Sequence, residues 1–216
     1  WVRDEVARAA REKGEAGPGF LVETTIDPYL QELAQRAVEH RIAELRRGHP
    51  RLRRAPLAAA VVVLDARTGA VLAAVGGSPD DPPGAFDRVR AAKRQPGSVV
   101  KPFVALEAID DCGGRDPLTA SSRILDEPLS IALPAGRWEP HNFDERYLGP
   151  VLLREALAES RNVPAVRIAR WCGFDATAAR FRRVGLELPP DPPPAFVLGA
   201  VETTPLAVAR AFTVFA

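Results

Sequence analysis

The chain has 216 residues, with 29 Lys and Arg against 28 Asp and Glu and a net charge of +1. Hydrophobic residues at 46% and charged residues at 26% are typical of a globular protein and exclude a disordered chain. A near-zero net charge argues against a nucleic-acid-binding surface, which needs clustered Lys and Arg, so no nucleic-acid partner is expected. The length favours one domain with a sizeable core.

No segment has the pattern of a signal peptide or a membrane span. The longest apolar run, residues 55–64, is far shorter than the roughly 20 residues that a spanning helix needs. The chain begins at Trp1 and contains no Met, so we expect a piece of a longer polypeptide, with any membrane anchor preceding it. Cys112 and Cys172 have no neighbouring His, and no metal site is expected. Isolated cysteines are most often buried thiols, and their spacing does not decide whether they pair.

The first predicted elements are a charged helix over residues 1–13 and a short strand over residues 20–25. Asp27 followed by Pro28 is typical of a helix N-terminus, because the Asp side chain caps free N–H groups and Pro lacks one. Apolar residues spaced three and four apart then predict an amphipathic helix that ends near Gly48.

Two apolar runs, residues 58–64 and 70–75, predict a β-hairpin, and Gly69 suits a left-handed position in its connection. Residues 76–97 predict a proline-rich loop. A helix is predicted from residue 98 to residue 112, because apolar residues recur there at helical spacing and two glycines follow.

The second half of the chain is predicted to be mainly irregular and then helical. Residues 115–149 predict loops with a single strand at 129–133. Helices are predicted over residues 151–159, 163–172, 176–184 and from Pro205 to the end. The proline run at residues 189–194 excludes regular structure there.

Ser98 and Lys101 form the first candidate for chemistry. A Ser followed three positions later by a Lys places both side chains on one helix face, about 5–6 Å apart at Cβ. A serine hydroxyl needs a base to become a nucleophile, and a neutral lysine amine can serve. Pro102 has no N–H, so the Ser98 carbonyl lacks its usual helical donor. The alternative is an exposed lysine on an ordinary helix that Ser98 caps.

The segment Ser160-Arg161-Asn162 is the second candidate, and it lies between two predicted helices. A hydroxyl and an amide on one loop can relay a proton and hold a substrate amide. The alternative is that Ser160 or Asn162 caps the helix that begins at Val163.

Together, the two motifs resemble those of penicillin-binding proteins and serine β-lactamases. The flanking residues are more specific and resemble the class A, bifunctional penicillin-binding proteins. These are Arg94-Gln95-Pro96-Gly97, Pro102-Phe103, Thr24-Thr25-Ile26-Asp27, Leu30-Gln31, Leu64-Asp65, Thr68-Gly69, Val75-Gly76-Gly77, residues 138–142, Leu153-Arg154-Glu155-Ala156-Leu157, Leu198-Gly199-Ala200 and Thr204-Pro205-Leu206. The resemblance runs from about residue 20 to residue 216.

The resemblance implies D,D-transpeptidation of peptidoglycan stem peptides that end in D-Ala-D-Ala. Ser98 would be the acylated nucleophile, Lys101 its base, Ser160 the group that passes a proton to the leaving amine, and Asn162 a contact to the substrate backbone. Trp138 and Asn142 are assigned to substrate binding at the mouth of the cleft, with anchoring of their loop as the alternative. β-Lactams would trap the serine, and no cofactor is implied.

The implied fold is α+β, an antiparallel sheet flanked by helices, and the sheet would be incomplete in this chain. Residues 1–23 would be a linker after an absent glycosyltransferase domain, and residues 24–216 the N-terminal and helical part of a transpeptidase domain. The third family motif, Lys-Thr-Gly, would lie beyond Ala216, so we expect the chain to be inactive alone. The resemblance also implies an extracytoplasmic location and a membrane anchor in the parent protein.

Two other functions are alternatives. One is found in proteins with the same first two motifs, and the other is consistent with the lack of the third motif. A β-lactamase or β-lactam sensor would carry both motifs, but residues 24–27 and 94–97 favour the transpeptidase. A non-catalytic scaffold domain would explain the lack of the third motif.

Overall fold

The computed structural model describes residues 2–12, 22–78, 80–82, 84–134 and 136–216. The helices are α1 (Val2–Glu12), α2 (Pro28–Gly48), α3 (Lys101–Asp110), α4 (Leu153–Ala158), α5 (Asn162–Cys172), α6 (Phe174–Arg183) and α7 (Pro205–Phe212). The strands are β1 (Val61–Leu64), β2 (Val71–Val75), β3 (Arg123–Asp126), β4 (Ile131–Leu133), β5 (Gly136–Trp138) and β6 (Gly149–Leu152). Short 3₁₀ helices cover Pro50–Leu52, Gly97–Val100, Cys112–Gly114, Pro194–Leu198 and Thr213–Phe215. None of the described helices combines the length and apolar character needed to cross a membrane.

The chain divides into two compact units, one of Trp1–Ala92 with Thr204–Ala216 and one of Lys93–Thr203. The mixture of helices and small antiparallel sheets confirms the predicted α+β class. In the described residues each sheet has two strands, in the pairs β1–β2, β3–β6 and β4–β5. The assignment of residues 1–23 to a linker stays a prediction.

The first unit is built around the predicted hairpin, whose two strands pack helices on opposite faces. One face packs against α2 through Ala73 and Val75, and the other contacts Leu206 of α7 through Val71. The pairing register shifts between Val63 and Leu64, which is a β-bulge. A one-residue shift moves side chains to the opposite face, which explains why Val71 and Ala73 lie in different clusters.

The predicted N-terminus of α2 is confirmed, and the residues around it also tie down strand β2. The Asp27 carboxylate accepts the N–H groups of Tyr29 and Leu30, at 2.8 and 3.1 Å. The Gln31 side-chain amide donates to the Ala74 carbonyl at 3.1 Å and accepts its N–H at 2.8 Å. Gln31 therefore satisfies backbone groups of β2 that would otherwise be unpaired at a sheet edge.

The predicted strand at residues 20–25 is wrong where the structure describes it, since residues 22–25 form no strand. Instead, the Thr25 hydroxyl donates to the Val71 carbonyl at 2.6 Å, and the Asp27 N–H donates to the Leu72 carbonyl at 2.8 Å. One side-chain bond and one backbone bond therefore hold this segment against β2 in place of a strand ladder. Residues 20 and 21 lie outside the described residues.

The second unit surrounds α3, which contacts α4, α5 and α6. Phe103, Phe181 and Phe196 meet edge to face, with ring centroids 6.0 and 5.1 Å apart. On the same helix the buried carboxylate of Glu107 pairs with Arg180 of α6 at 2.8 Å. An apolar and an ionic contact thus fix α3 against α6.

The segment predicted to be mainly irregular, residues 115–149, contains more regular structure than its sequence indicates. Strands β3 and β5 lie wholly within it, and β6 begins at Gly149, whereas the single predicted strand matches only β4. These strands have only three or four residues, β3 and β5 carry polar side chains and β6 begins with Gly-Pro, so they show little of the apolar alternation on which strand prediction depends.

Cys112 and Cys172 form a disulfide, which corrects the expectation of buried free thiols. Both residues are buried, with 0% and 4% exposure. They follow α3 and end α5, so the disulfide joins the C-terminal ends of the two helices. Gly113 beside it is required by close packing, because a Cβ there would lie 2.1 Å from the Cys172 carbonyl oxygen.

Candidate active site

Ser98 lies in the 3₁₀ turn Gly97–Val100, directly before α3. The Lys101 N–H donates to the Ser98 carbonyl, which is a 3₁₀ bond between residues three positions apart. The usual helical donor, four positions after Ser98, would be Pro102, which has no N–H. Gly97 has a φ of +61° and approaches Gly199 so closely that a Cβ on Gly199 would lie 2.2 Å from the Gly97 carbonyl oxygen. The turn therefore presents Ser98, which is exposed, from a backbone position that its neighbours fix.

Lys101 is buried, with 3% exposure, and its amine contacts both Ser160 and Asn162 of the second motif. Its Nζ donates to the Ser160 carbonyl at 2.5 Å, to Ser160 Oγ at 3.1 Å and to Asn162 Oδ1 at 2.6 Å. Three of the four residues thus converge across 59 and 61 positions of sequence. Ser98 lies on the adjoining turn, and the described bonds of the amine go to Ser160 and Asn162.

The environment of Lys101 disfavours its charged form. Burial, and second the positive charge of Arg161, lower the pKa of the Lys101 ammonium from 10.5 to about 8. A lysine with such a pKa is neutral in about a tenth of the molecules at pH 7, far more than an ordinary lysine, and only the neutral amine can act as a general base.

Ser160 follows α4 with a φ of +54°, a left-handed conformation that is unusual for a residue with a side chain. The N–H of Arg161 donates to the Ala156 carbonyl at 2.8 Å, and that of Ser160 donates to the Leu157 carbonyl at 3.0 Å. These bonds cap the C-terminus of α4, and the left-handed residue in such a cap is usually a glycine. The same geometry turns both the carbonyl and the hydroxyl of Ser160 toward Lys101.

Asn142 is buried, with 3% exposure, and its assignment to substrate binding stays a prediction. Its Oδ1 accepts the N–H groups of Asn162 and Val163 at 2.9 and 3.1 Å, so it caps α5 from another segment. Its Nδ2 donates to Asp126 at 2.6 Å and to the Arg146 carbonyl at 2.9 Å. These bonds tie Asn142 to the start of α5, to Asp126 and to the backbone of Arg146.

Trp138 is half-buried on β5, and its place at the cleft mouth stays a prediction. His141 contributes its backbone carbonyl, which accepts from Asn162 Nδ2 at 2.8 Å, while its ring faces the Tyr147 hydroxyl at 3.2 Å. Within the described part of the chain, no group of three His, Cys, Asp or Glu side chains could hold a metal ion.

Sequence reasoning did not find the buried ion pair of Arg161 and Asp126 that adjoins the site. Arg161 is 6% exposed and Asp126 is fully buried. The available signal was the position of Arg161 inside the second motif. Nothing in the polar segment around Asp126 marks that carboxylate as its partner.

Comparison with known proteins identifies the class of this fold and site. The penicillin binding protein transpeptidase domain family matches residues 59–216, and the chain belongs to this family. Penicillin-binding protein 1A of Neisseria gonorrhoeae is 43% identical over 166 residues, which cover 74% of this chain and 20% of that protein. Penicillin-binding protein 1B of Vibrio cholerae is 33% identical over 210 residues, which cover 96% of this chain and 26% of that protein. The recognised resemblance to class A penicillin-binding proteins is thereby confirmed.

Solved structures agree with this classification. Penicillin-binding protein 1A from Haemophilus influenzae aligns with a TM-score of 0.66 and 37% identity, over 74% of this chain and 23% of that one. PonA1 from Mycobacterium tuberculosis aligns with a TM-score of 0.75 and 25% identity, over 98% of this chain and 55% of that one. The chain therefore has a penicillin-binding protein transpeptidase fold and spans between a fifth and about a quarter of the length of the curated relatives above.

Proposed function

We propose that this chain supplies the acylation centre of a peptidoglycan D,D-transpeptidase that acts outside the cytoplasm. The observation that carries the proposal is the contact of the Lys101 amine with Ser160 and Asn162, which lie about 60 positions away in the sequence. Lys101 directly follows the turn that carries Ser98. Helix caps, the alternative for both motifs, do not require such a convergence. Membership of the transpeptidase family supports the same reaction.

In this proposal Ser98 Oγ attacks the carbonyl carbon of the D-Ala-D-Ala bond. Neutral Lys101 takes the hydroxyl proton as the new C–O bond forms. The Ser160 carbonyl and Asn162 Oδ1 have no hydrogen of their own, so they hold two N–H groups of the amine and fix its orientation. The proton then passes through Ser160 Oγ, 3.1 Å from Nζ, to the nitrogen of the leaving D-Ala as the C–N bond breaks.

The acyl-enzyme on Ser98 is then resolved by an amine of a second stem peptide, which forms the cross-link and frees the serine. The side-chain amide of Asn162 lies beside this path and can contact the substrate backbone. β-Lactams acylate the same serine in this scheme, as expected for a penicillin-binding family. The parent protein is proposed to be membrane-anchored through a segment outside this chain.

The test is D-Ala release by the whole protein that contains this chain, with a stem pentapeptide as donor and an amine acceptor. We expect Ser98→Ala and Lys101→Met to lose release and cross-linked product, because the first lacks the nucleophile and the second its base. Lys93→Met changes an exposed lysine and is the matched control that keeps activity. Full activity in Lys101→Met would contradict the assignment.

A further inference from the structure

Arg161, the middle residue of the second motif, points away from solvent into a set of charged and polar partners. Its guanidinium lies 2.8 Å from the Asp126 carboxylate and 2.8 Å from that of Asp144. It also donates to the Arg146 carbonyl at 2.5 Å. A planar group with five donors can hold several acceptors in one fixed geometry, which an ammonium cannot reproduce.

Asp126 connects this arrangement to the residues that touch Lys101. Its second oxygen accepts from Asn142, and Asn142 in turn accepts the first N–H groups of α5. The guanidinium therefore restrains the motif from two sides, directly through the backbone of Arg161 and indirectly through the start of α5. Ser160 and Asn162, which contact Lys101, are the residues directly before and after Arg161 in the chain.

The same guanidinium is a positive charge near the Lys101 amine. A narrow crevice between Lys101 and Arg161 has otherwise apolar walls, formed by residues of α3, α4 and α5. Other charged groups on the elements around α3 are either bound elsewhere or exposed. Glu107 and Asp110 pair with Arg180, Glu155 accepts from the Leu152 N–H, Arg154 donates to Ser121, Arg167 donates to two backbone carbonyls, and Glu159, Arg170, Asp175, Arg182 and Arg183 are exposed.

We propose that Arg161 is a positioning residue for acylation, which holds Ser160 and Asn162 against Lys101 through its two carboxylate partners. Besides burial, the positive charge of Arg161 also lowers the pKa of Lys101. This inference rests on the proposed function, since it concerns the efficiency of the same base. It separates two contributions, the geometry of the guanidinium and its charge. Lysine at position 161 keeps the charge, and methionine keeps neither.

The experiment measures the rate of acylation of the whole protein by a fluorescent penicillin between pH 6 and pH 10. Because the base acts only when neutral, the wild-type rate rises with pH through the pKa of Lys101. In Arg161→Met this rise moves to higher pH, by on the order of one pH unit, since a nearby positive charge is lost. In Arg161→Lys the rise keeps its pH while the maximal rate falls on the order of tenfold, because the lysine cannot hold all three acceptors.

Arg180→Met is the matched control, because Arg180 is also 6% exposed and also pairs with one buried and one exposed carboxylate. Loss of this pair lowers stability but leaves the pH of the rise unchanged. If Arg161→Met does not fold, the double variant Arg161→Met with Asp126→Asn replaces it, since it leaves no unpaired buried carboxylate.

An unshifted rise in the folded Arg161 variant, or an equal shift in Arg180→Met, would overturn the inference. Absence of acylation in the wild-type protein would instead contradict the proposed function itself.

Discussion

Ser160 joins an unfavourable backbone conformation to a side chain at the centre of the site. A left-handed conformation costs a residue with a Cβ about 1–2 kcal/mol relative to its preferred state. Glycine would avoid this cost at the end of α4, but it would also remove the hydroxyl that lies 3.1 Å from Lys101. The retention of strain beside the amine is what a site selected for chemistry over stability would show.

Replacement of Ser160 should therefore separate stability from activity. We expect Ser160→Gly to leave the melting temperature of the whole protein unchanged or higher, while Ser160→Ala, which keeps the strain, melts at a lower temperature than Ser160→Gly. Both variants lack the proton relay and should acylate more slowly with penicillin, on the order of 10²–10⁴-fold. Calorimetry and labelling with a fluorescent penicillin measure the two effects. Normal acylation in either variant would show that the hydroxyl moves no proton.

At the scale of elements, the contact of α2 with strand β2 depends on a side-chain amide that bonds the strand backbone as a neighbouring strand would. The amide of Gln31 pairs with both backbone groups of Ala74, which are partly buried. A buried backbone group without a partner costs about 1–3 kcal/mol. Gln35, one turn further along the helix, makes its hydrogen bond to Glu39 at the surface.

These two glutamines offer a matched comparison. Gln31→Ala should lower the free energy of unfolding by about 1–3 kcal/mol, because it leaves the Ala74 N–H and carbonyl unpaired. Gln35→Ala should change it by less than about 0.5 kcal/mol, because the bond of Gln35 to Glu39 is exposed to solvent and involves no backbone group. Denaturant titration of the whole protein, followed by a probe in this unit, measures both. Equal effects would mean that water replaces the Gln31 amide without cost.

The elements differ in how far their sequence predicts them. Helix α2 was predicted with both ends because Asp27, Pro28 and the apolar spacing report local physics. Strands β3 and β5 were not, because short polar strands acquire their structure from pairing partners rather than from their own alternation. Asn142 was assigned to the cleft by the family resemblance, and nothing in the sequence indicates its buried bond to Asp126, 16 positions away.

At the scale of the molecule, the site results from the packing of α3 against α5. Lys101 begins α3 and contacts Asn162 at the start of α5, while the disulfide of Cys112 and Cys172 joins the other ends of the two helices. The predicted convergence of the two motifs followed from a family resemblance. No rule of residue spacing predicts contact between residues about 60 positions apart. For the same reason, the sequence alone could not predict that Cys112 pairs with Cys172.

The identity of the acylated residue is the most direct test of this account. The whole protein is incubated with benzylpenicillin, digested, and its peptides are analysed by mass spectrometry. We predict a penicilloyl adduct on the peptide that contains Ser98, at Ser98 itself, and no adduct in Ser98→Ala. An adduct at Ser160 or at any other residue, or one that persists in Ser98→Ala, would contradict the assignment of Ser98 as nucleophile.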